Sequence, residues 1–348
     1  MEEVKKEEKK PAKDKKRGKK IFIIVLSVVL ALIILLVGTF FCLRYLGFRG
    51  FHKNDKNIKH DDVIVDDEDN ITYKGEKYRL NKDIISILII GVDRRDINEN
   101  KGIGKNGQAD CIFLAAIDTA KKNYTFIPIS RESMVDVEVH TASGAYAGIQ
   151  KEQICLAYAY GSTPKECSKN VLKSVSRMFY GLNINSYVTI DLEGLSKLSE
   201  MVGGVEVTSP ETLSASGHRI TEGQTVTLSG EDALFFIRDR ESDIDANNRR
   251  MVRQKIFLSA LLSKTGNVIL DDFTKLGEIY NSLIPYTSTN IGLSKITYFA
   301  TSSLSRDIGS SIVYKSIEGT MTETEYSEFN INEEQLLDLI VETFYIKA

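Results

Sequence analysis

Apolar residues run without a charge from Ile21 to Leu43, 23 positions reading IFIIVLSVVLALIILLVGTFFCL. At about 1.5 Å per helical residue the stretch covers roughly 35 Å, a bilayer crossing, and it predicts one transmembrane helix over 21–43. Residues 44–69 are polar and include the acids Asp66, Asp67, Glu68 and Asp69, which predicts a solvated linker. Alternation in ITYKGEKYRL around Lys74 and Gly75 predicts a hairpin that opens the folded region. IISILIIGV (84–92), CIFLAAID (111–118) and YTFIPI (124–129) are nearly continuous, as in strands covered on both faces. Helical spacing follows at 166–180 and 192–201 around the strand-like YVTID (187–191), with GGVEV (203–207) as turn and strand. It returns at 230–238, 249–263, 271–283, 293–304 and 333–345, with a strand near 312–316. This alternation predicts an α/β fold, a three-layer α-β-α domain over 70–348 with a central mixed sheet, preceded by one transmembrane helix.

Composition supports a folded core, since 42% of the 348 residues are hydrophobic and 27% charged. Charge adds an orientation. Residues 1–20 hold ten Lys or Arg against five Asp or Glu, and the rest of the chain 35 against 43, so a tail of +5 precedes a remainder of −8. Positive charge beside the span predicts a single-pass protein of the cell membrane, with residues 1–20 as a basic cytoplasmic tail and everything after Arg44 outside. A cleaved signal would have an apolar region of about 7–15 residues ending in small ones. Phe40 and Phe41, ahead of Cys42, argue for a retained anchor. Cys42, Cys111, Cys155 and Cys167 show neither CxxC nor metal-ligand spacing, which argues against zinc; Cys111 and Cys155 read as core residues, with a Cys155–Cys167 pair as the alternative. His52, His60, His140 and His218 are scattered and suggest no catalytic triad.

Candidate chemistry begins with GVDRR (91–95) at the carboxyl end of the first strong strand, where open α/β sheets bind ligands. Asp93 and Arg95 lie there, and Asp110 starts the neighbouring strand after a loop containing Gly102, Gly104 and Gly107. Two carboxylates suit a magnesium ion completed by phosphate oxygens, although either acid alone is more often a turn or cap residue. A second set is basic: Arg131, Arg238, Arg240, Arg249, Arg250 and Arg253. Arg250, Arg253 and Gln254 share one face of a helix's first turn, a place suited to phosphate. Periodicity alone favours a solvated face paired with Glu241, Asp243 and Asp245.

GVDRR, Asp110, ISRES, AYAYG (157–161), YVTID, GGVEV, LSGEDALFFIRDR and RRMVRQ occur in an order and spacing that resemble the LytR-CpsA-Psr family over residues 84–265. The resemblance implies a membrane-anchored phosphotransferase that moves an anionic glycopolymer from a polyprenyl (undecaprenyl) pyrophosphate carrier to a hydroxyl of peptidoglycan. It implies Asp93 as catalytic acid and metal ligand, Arg95 as its companion, Asp110 as second ligand, and Mg²⁺ (or Mn²⁺) as cofactor. Arg131 matches the motif's catalytic arginine. Arg238, Arg240, Arg250, Arg253 and Gln254 match the positions that hold pyrophosphate. An apolar tunnel between sheet and helices would take the prenyl chain, with AYAYG lining it. The sequence departs from the family pattern at Gln108, Glu132, Gln153, Cys155 and Asn247, with Asp245 as a stand-in for the last. Two other readings use the same site: a non-catalytic protein that binds the lipid carrier or wall polymer, and a lipid pyrophosphate hydrolase. Nucleic acid is not an expected partner, because the domain lies across the membrane from DNA and no recognition helix is apparent.

Overall fold

The computed structural model describes residues 13–53, 56–215, 218–239, 246–305, 308, 311–323 and 325–348. Helix α1 (Lys13–Phe51) carries the apolar run. A small antiparallel sheet follows, built from β1 (Ile64–Val65), β2 (Ile71–Tyr73) and β3 (Glu76–Leu80) and closed by the chain's last strand, Tyr345–Lys347. Lys74 and Gly75 both have positive φ, 50° and 80°, as a two-residue turn between twisted strands requires, so this hairpin forms where the pattern predicts it. Next come β4 (Ile84–Val92), β5 (Ala109–Asp118) and β6 (Asn123–Ile129), then the hairpin β7 (Met134–His140) and β8 (Tyr146–Gln153). A 3-10 helix at Ile154–Tyr160 leads into α2 (Pro164–Met178), β9 (Ser186–Ile190) and α3 (Leu192–Met201). β10 (Val205–Thr208) pairs with β13 (Thr225–Leu228) around the hairpin of β11 (Leu213–Ala215) and β12 (His218–Ile220). Then follow α4 (Glu231–Arg238), α5 (Ala246–Asp271), α6 (Thr274–Leu283), β14 (Thr287–Thr289), α7 (Leu293–Ser302) and β15 (Ile312–Tyr314). The hairpin β16 (Gly319–Glu323) and β17 (Ser327–Ile331) and helix α8 (Glu333–Phe344) precede the closing strand.

The central sheet has the order β14-β9-β4-β5-β6-β15 and is mixed, with β4/β9 and β6/β15 parallel and the other neighbours antiparallel. Strand periodicity divides its side chains between two cores. Leu88, Ile90, Ile112 and Leu114 pack with Val171 and Val175 of α2 and Leu337 and Ile340 of α8. Ile85, Ile87, Phe113 and Ala115 face the opposite way, towards Leu258 of α5 and Tyr298 of α7. This is the expected three-layer α-β-α arrangement. Strand direction also gathers the site: β4 and β9 end, β5 begins and β6 ends at one edge, which brings residues 93, 191, 110 and 131 together.

Residues 44–69 are not a free linker. Helix α1 continues through Phe51, which is buried against Ile85, Ile87 and Tyr298. Gly47 makes that approach possible, since a Cβ there would lie 2.1 Å from the Ser294 carbonyl oxygen of α7. Ile58 and Val63 enter the core with α2 and α8, and Ile64 and Val65 pair with β2. The segment's polar average conceals these apolar contacts. A 70–348 fragment lacks Phe51, Ile58 and Val63, each contributing about 1.5–3 kcal/mol when buried. Its urea midpoint is expected to fall well below that of a 44–348 fragment, and equal midpoints would restore the linker reading. Two smaller differences concern helices. The motif-bearing helix runs over Ala246–Asp271, well beyond 249–263, and AYAYG lies on the 3-10 helix, with Ala157 and Tyr158 in the α2/α8 core.

Candidate active site

Along β4, Ile85, Ile87 and Ile89 share the α5/α7 side of the sheet, and two-residue alternation carries Gly91 and then Asp93 towards that side. Asp110 is subtler. Regular alternation on β5 would put it with Ile112 and Leu114 on the opposite face. The β4/β5 register slips by one between Gly91, opposite Cys111, and Val92, opposite Ala109, so Asp110 has no partner residue on β4. This bulge re-aims the carboxylate, which lines the same cavity as Cys111 and Phe113.

The cavity measures about 830 Å³ and has two unlike ends. Asp93, Gln108, Asp110, Arg131, Arg238 and Arg250 line the strand-edge end. Ile89, Phe113, Leu195, Leu234, Phe257 and Leu261 line the other, between the sheet and helices α3, α4 and α5. Arg238 Nη2 lies 2.9 Å from Asp93 Oδ1 and 3.3 Å from Oδ2, with both side chains half exposed. Arg131 pairs with Asp110 and also donates to Gln108 Oε1. Burial pushes the Asp110 carboxyl above the usual carboxylate range; Arg131 and Arg250 oppose the shift and the negative charge of Asp93 adds to it. That electrostatic link brings both acids and Arg250 into one field. Burial likewise pushes the Cys111 and Cys155 thiols up to about 12 and about 11, so both remain protonated at neutral pH, and all four cysteines are free, with no Cys155–Cys167 bond.

Of the residues singled out from sequence, Asp93, Asp110, Arg131, Arg238, Arg250 and Gln254 line this cavity, whereas Arg95 and Arg253 do not. Arg95 bridges Glu193 of α3, at 2.7 Å, and Glu231 of α4, at 2.9 Å, on the exposed surface. Arg253 is 2% exposed; its Nε donates to the Phe236 carbonyl at 2.7 Å, another nitrogen to the Asp239 carbonyl, and it pairs with Glu211. It ties α5 to the end of α4 and so fixes the turn that carries Arg238. Arg240 and Asp245 lie outside the described residues, as does the Asn247 side chain. AYAYG does not line the cavity, because it packs beneath the opposite face of the sheet.

Three departures from the motif pattern surround Arg131: Gln108 accepts from it, Cys155 Sγ lies 3.8 Å away, and Glu132 Oε1 lies 3.7 Å from its Nε. Gln153 instead donates to the Ser327 carbonyl of β17 at 2.7 Å. Sequence reasoning missed Asp191 and Glu231, both in the cavity lining. Asp191 ends the strand parallel to β4 and caps α3, accepting from Gly194 N at 2.8 Å and Ile97 N at 2.9 Å. Its place at a strand's carboxyl end, like that of Asp93, was the available signal.

A teichoic acid transferase, TagU from Oceanobacillus iheyensis, is 27% identical over 215 residues, which cover 62% of this chain and 61% of that relative, less than two thirds of its length. The crystal structure of B. subtilis TagV aligns with a TM-score of 0.59 at 22% identity, covering 76% of this chain and 98% of that one. A structure of TagT bound to LIIa-WTA aligns with a TM-score of 0.55 at 20% identity, covering 75% and 90%. At these identities the structural matches establish likeness of fold. The sequence model of the LytR_cpsA_psr family matches residues 48–343, from the last turn of α1 to the last of α8, and the chain belongs to that family.

Proposed function

We propose that the protein is a membrane-anchored phosphotransferase that moves an anionic glycopolymer from a polyprenyl pyrophosphate carrier to peptidoglycan. The supporting observation is the two-ended cavity: carboxylates and arginines at one end, an apolar lining at the other, matched to a lipid whose charged head joins a hydrocarbon tail. Relatives named as teichoic acid transferases point the same way. The apolar helix α1 supplies the anchor, with the N-terminus cytoplasmic and the domain outside the cell.

In this reading, Arg131, Arg238 and Arg250 bind the pyrophosphate and neutralise the charge that grows on the departing polyprenyl phosphate. Asp93 orients the acceptor hydroxyl and takes its proton as the acceptor oxygen attacks the glycan-bearing phosphorus. The bond from that phosphorus to the bridging oxygen breaks, and the glycan passes on as a phosphate ester. Asp93 and Asp110 fit Mg²⁺, which takes few protein carboxylates when phosphate supplies other oxygens. Among the described residues no cluster of three His, Cys, Asp or Glu offers a complete protein cage. Bound there, the ion would supply further charge neutralisation at the pyrophosphate.

The test uses the full chain, since residues 44–69 belong to the fold. It is incubated with a short polyprenyl pyrophosphate-linked saccharide and peptidoglycan oligomers, with Mg²⁺ or with a chelator, and the products are read by mass spectrometry. The expected result is a sugar-phosphate adduct on the oligomer that disappears with chelation. Free sugar phosphate would replace the transferase with a hydrolase, and bound but unchanged lipid would replace it with a carrier-binding protein.

A further inference from the structure

The two ends of the central sheet differ in charge environment. The active-site cavity occupies the edge where β4 ends. At the opposite end, α1 joins the domain: Asn185 Nδ2, just before β9, donates to the Phe51 carbonyl at 2.6 Å, and Asn183 Nδ2 donates to the Lys53 carbonyl at 3.0 Å. The joint is closely packed, with Gly47 against Ser294 and the Phe51 ring under Lys295 Nζ at 5.2 Å. No free hinge separates the apolar helix from the domain.

Cations collect at this end. Arg44 and Arg49 lie exposed on the last turns of α1, with Lys53 and Lys56 just beyond. Sheet register brings two further turns to the same level, because Ile84 pairs with Asp118 and Asp118 with Asn123. Exposed Lys82 and Lys122 lie in those turns, and among the described residues neither forms an ion pair. Exposed Asp83 shares the turn with Lys82, and Asp118 is paired with Lys121 at 4.0 Å, so the cations are in excess here without standing alone, on a chain that is net acidic beyond residue 20. Tyr45, Leu46 and Phe48 are also exposed, continuing the apolar surface of α1 into the joint, with aromatic rings at the depth where membrane helices favour them.

We propose that this end of the domain is a docking face for the anionic surface of the bilayer that α1 crosses. The inference rests on α1 being a membrane anchor. The span fixes which end faces the lipid, the packed α1/α7 joint transmits that orientation, and the lysines meet acidic headgroups. The active-site edge is thereby held away from the membrane, towards the wall.

The test reconstitutes the full chain, with Cys42→Ser, in nanodiscs of phosphatidylcholine alone or with phosphatidylglycerol. A donor dye is placed at Ala120→Cys, in the exposed β5–β6 turn, or at Tyr326→Cys near the site edge, and acceptor dyes are carried on lipid headgroups. Energy transfer is expected to be greater from position 120 than from 326, and greater in anionic discs. Raising salt from 0.1 to 1 M shortens screening from about 10 to about 3 Å, and the signal at 120 should then fall to its neutral-disc value. Joint replacement of Lys53, Lys56, Lys82 and Lys122 by Glu should produce the same fall. Equal transfer from the two positions, or transfer at 120 indifferent to lipid charge, would overturn the docking face. Alkaline carbonate washing of the same vesicle-bound chain reads the anchor separately: a chain that washes off has no membrane span, whereas one that resists washing and shows equal transfer has a span without docking.

Discussion

Arg253→Ala is expected to destabilise the domain severely while removing no group from the cavity. The guanidinium is 2% exposed and satisfies Glu211 and two carbonyls at the end of α4. Glu211 keeps Arg249 at 2.8 Å, so the cost falls on the two carbonyls, each losing its donor at about 1–3 kcal/mol, together with the lost packing of the buried side chain. At about 2–4 °C per kcal/mol for a sizeable domain, the melting temperature should drop by roughly 10 °C. Arg250, three residues earlier on the same helix, lines the cavity, and Arg250→Ala is expected to weaken binding of a short polyprenyl pyrophosphate more than it lowers stability. Calorimetry and lipid binding on the two variants decide the assignment. A stable Arg253→Ala protein that fails to bind pyrophosphate would return Arg253 to the ligand site.

Asp93→Asn is expected to separate binding from turnover. Asp93 is half exposed, so its loss should leave the fold intact. If it receives the acceptor's proton, transfer should slow by about 10²–10⁴-fold. The same change frees Arg238 from its carboxylate partner, so lipid pyrophosphate should bind without Mg²⁺ at least as tightly as to the parent. Single-turnover transfer and metal-free lipid titration measure the two effects. A parental transfer rate would remove Asp93 from the mechanism.

Much of this arrangement was legible in the sequence because it depends on short-range pattern. Strands covered on both faces have nearly unbroken apolar composition, and β4, β5 and β6 begin within two residues of their predicted positions. Motif order identified Asp93, Asp110, Arg131, Arg238, Arg250 and Gln254, all of which meet in one cavity. Helical spacing could not separate Arg250 from Arg253, since both lie on one face and both are buried, and only the contact with α4 decides which of them faces the cavity. Nor could it place AYAYG, because an apolar aromatic run suits either side of a three-layer sheet. The joint at 44–69 was lost for another reason: a few buried side chains in a polar stretch leave no period to detect.

The bulge in β5 makes the site unequally tolerant of changes in chain length. Between Asp93 and Asp110 the chain passes through a glycine-bearing loop outside the sheet, where added residues need not disturb either strand. Deleting Ala109 alone would keep every acid and arginine named above. It would also allow β5 to resume regular pairing with β4, turning Asp110 towards the α2/α8 core. Among relatives, a missing residue at that point would therefore mark the loss of the second carboxylate even where an alignment still showed the acid.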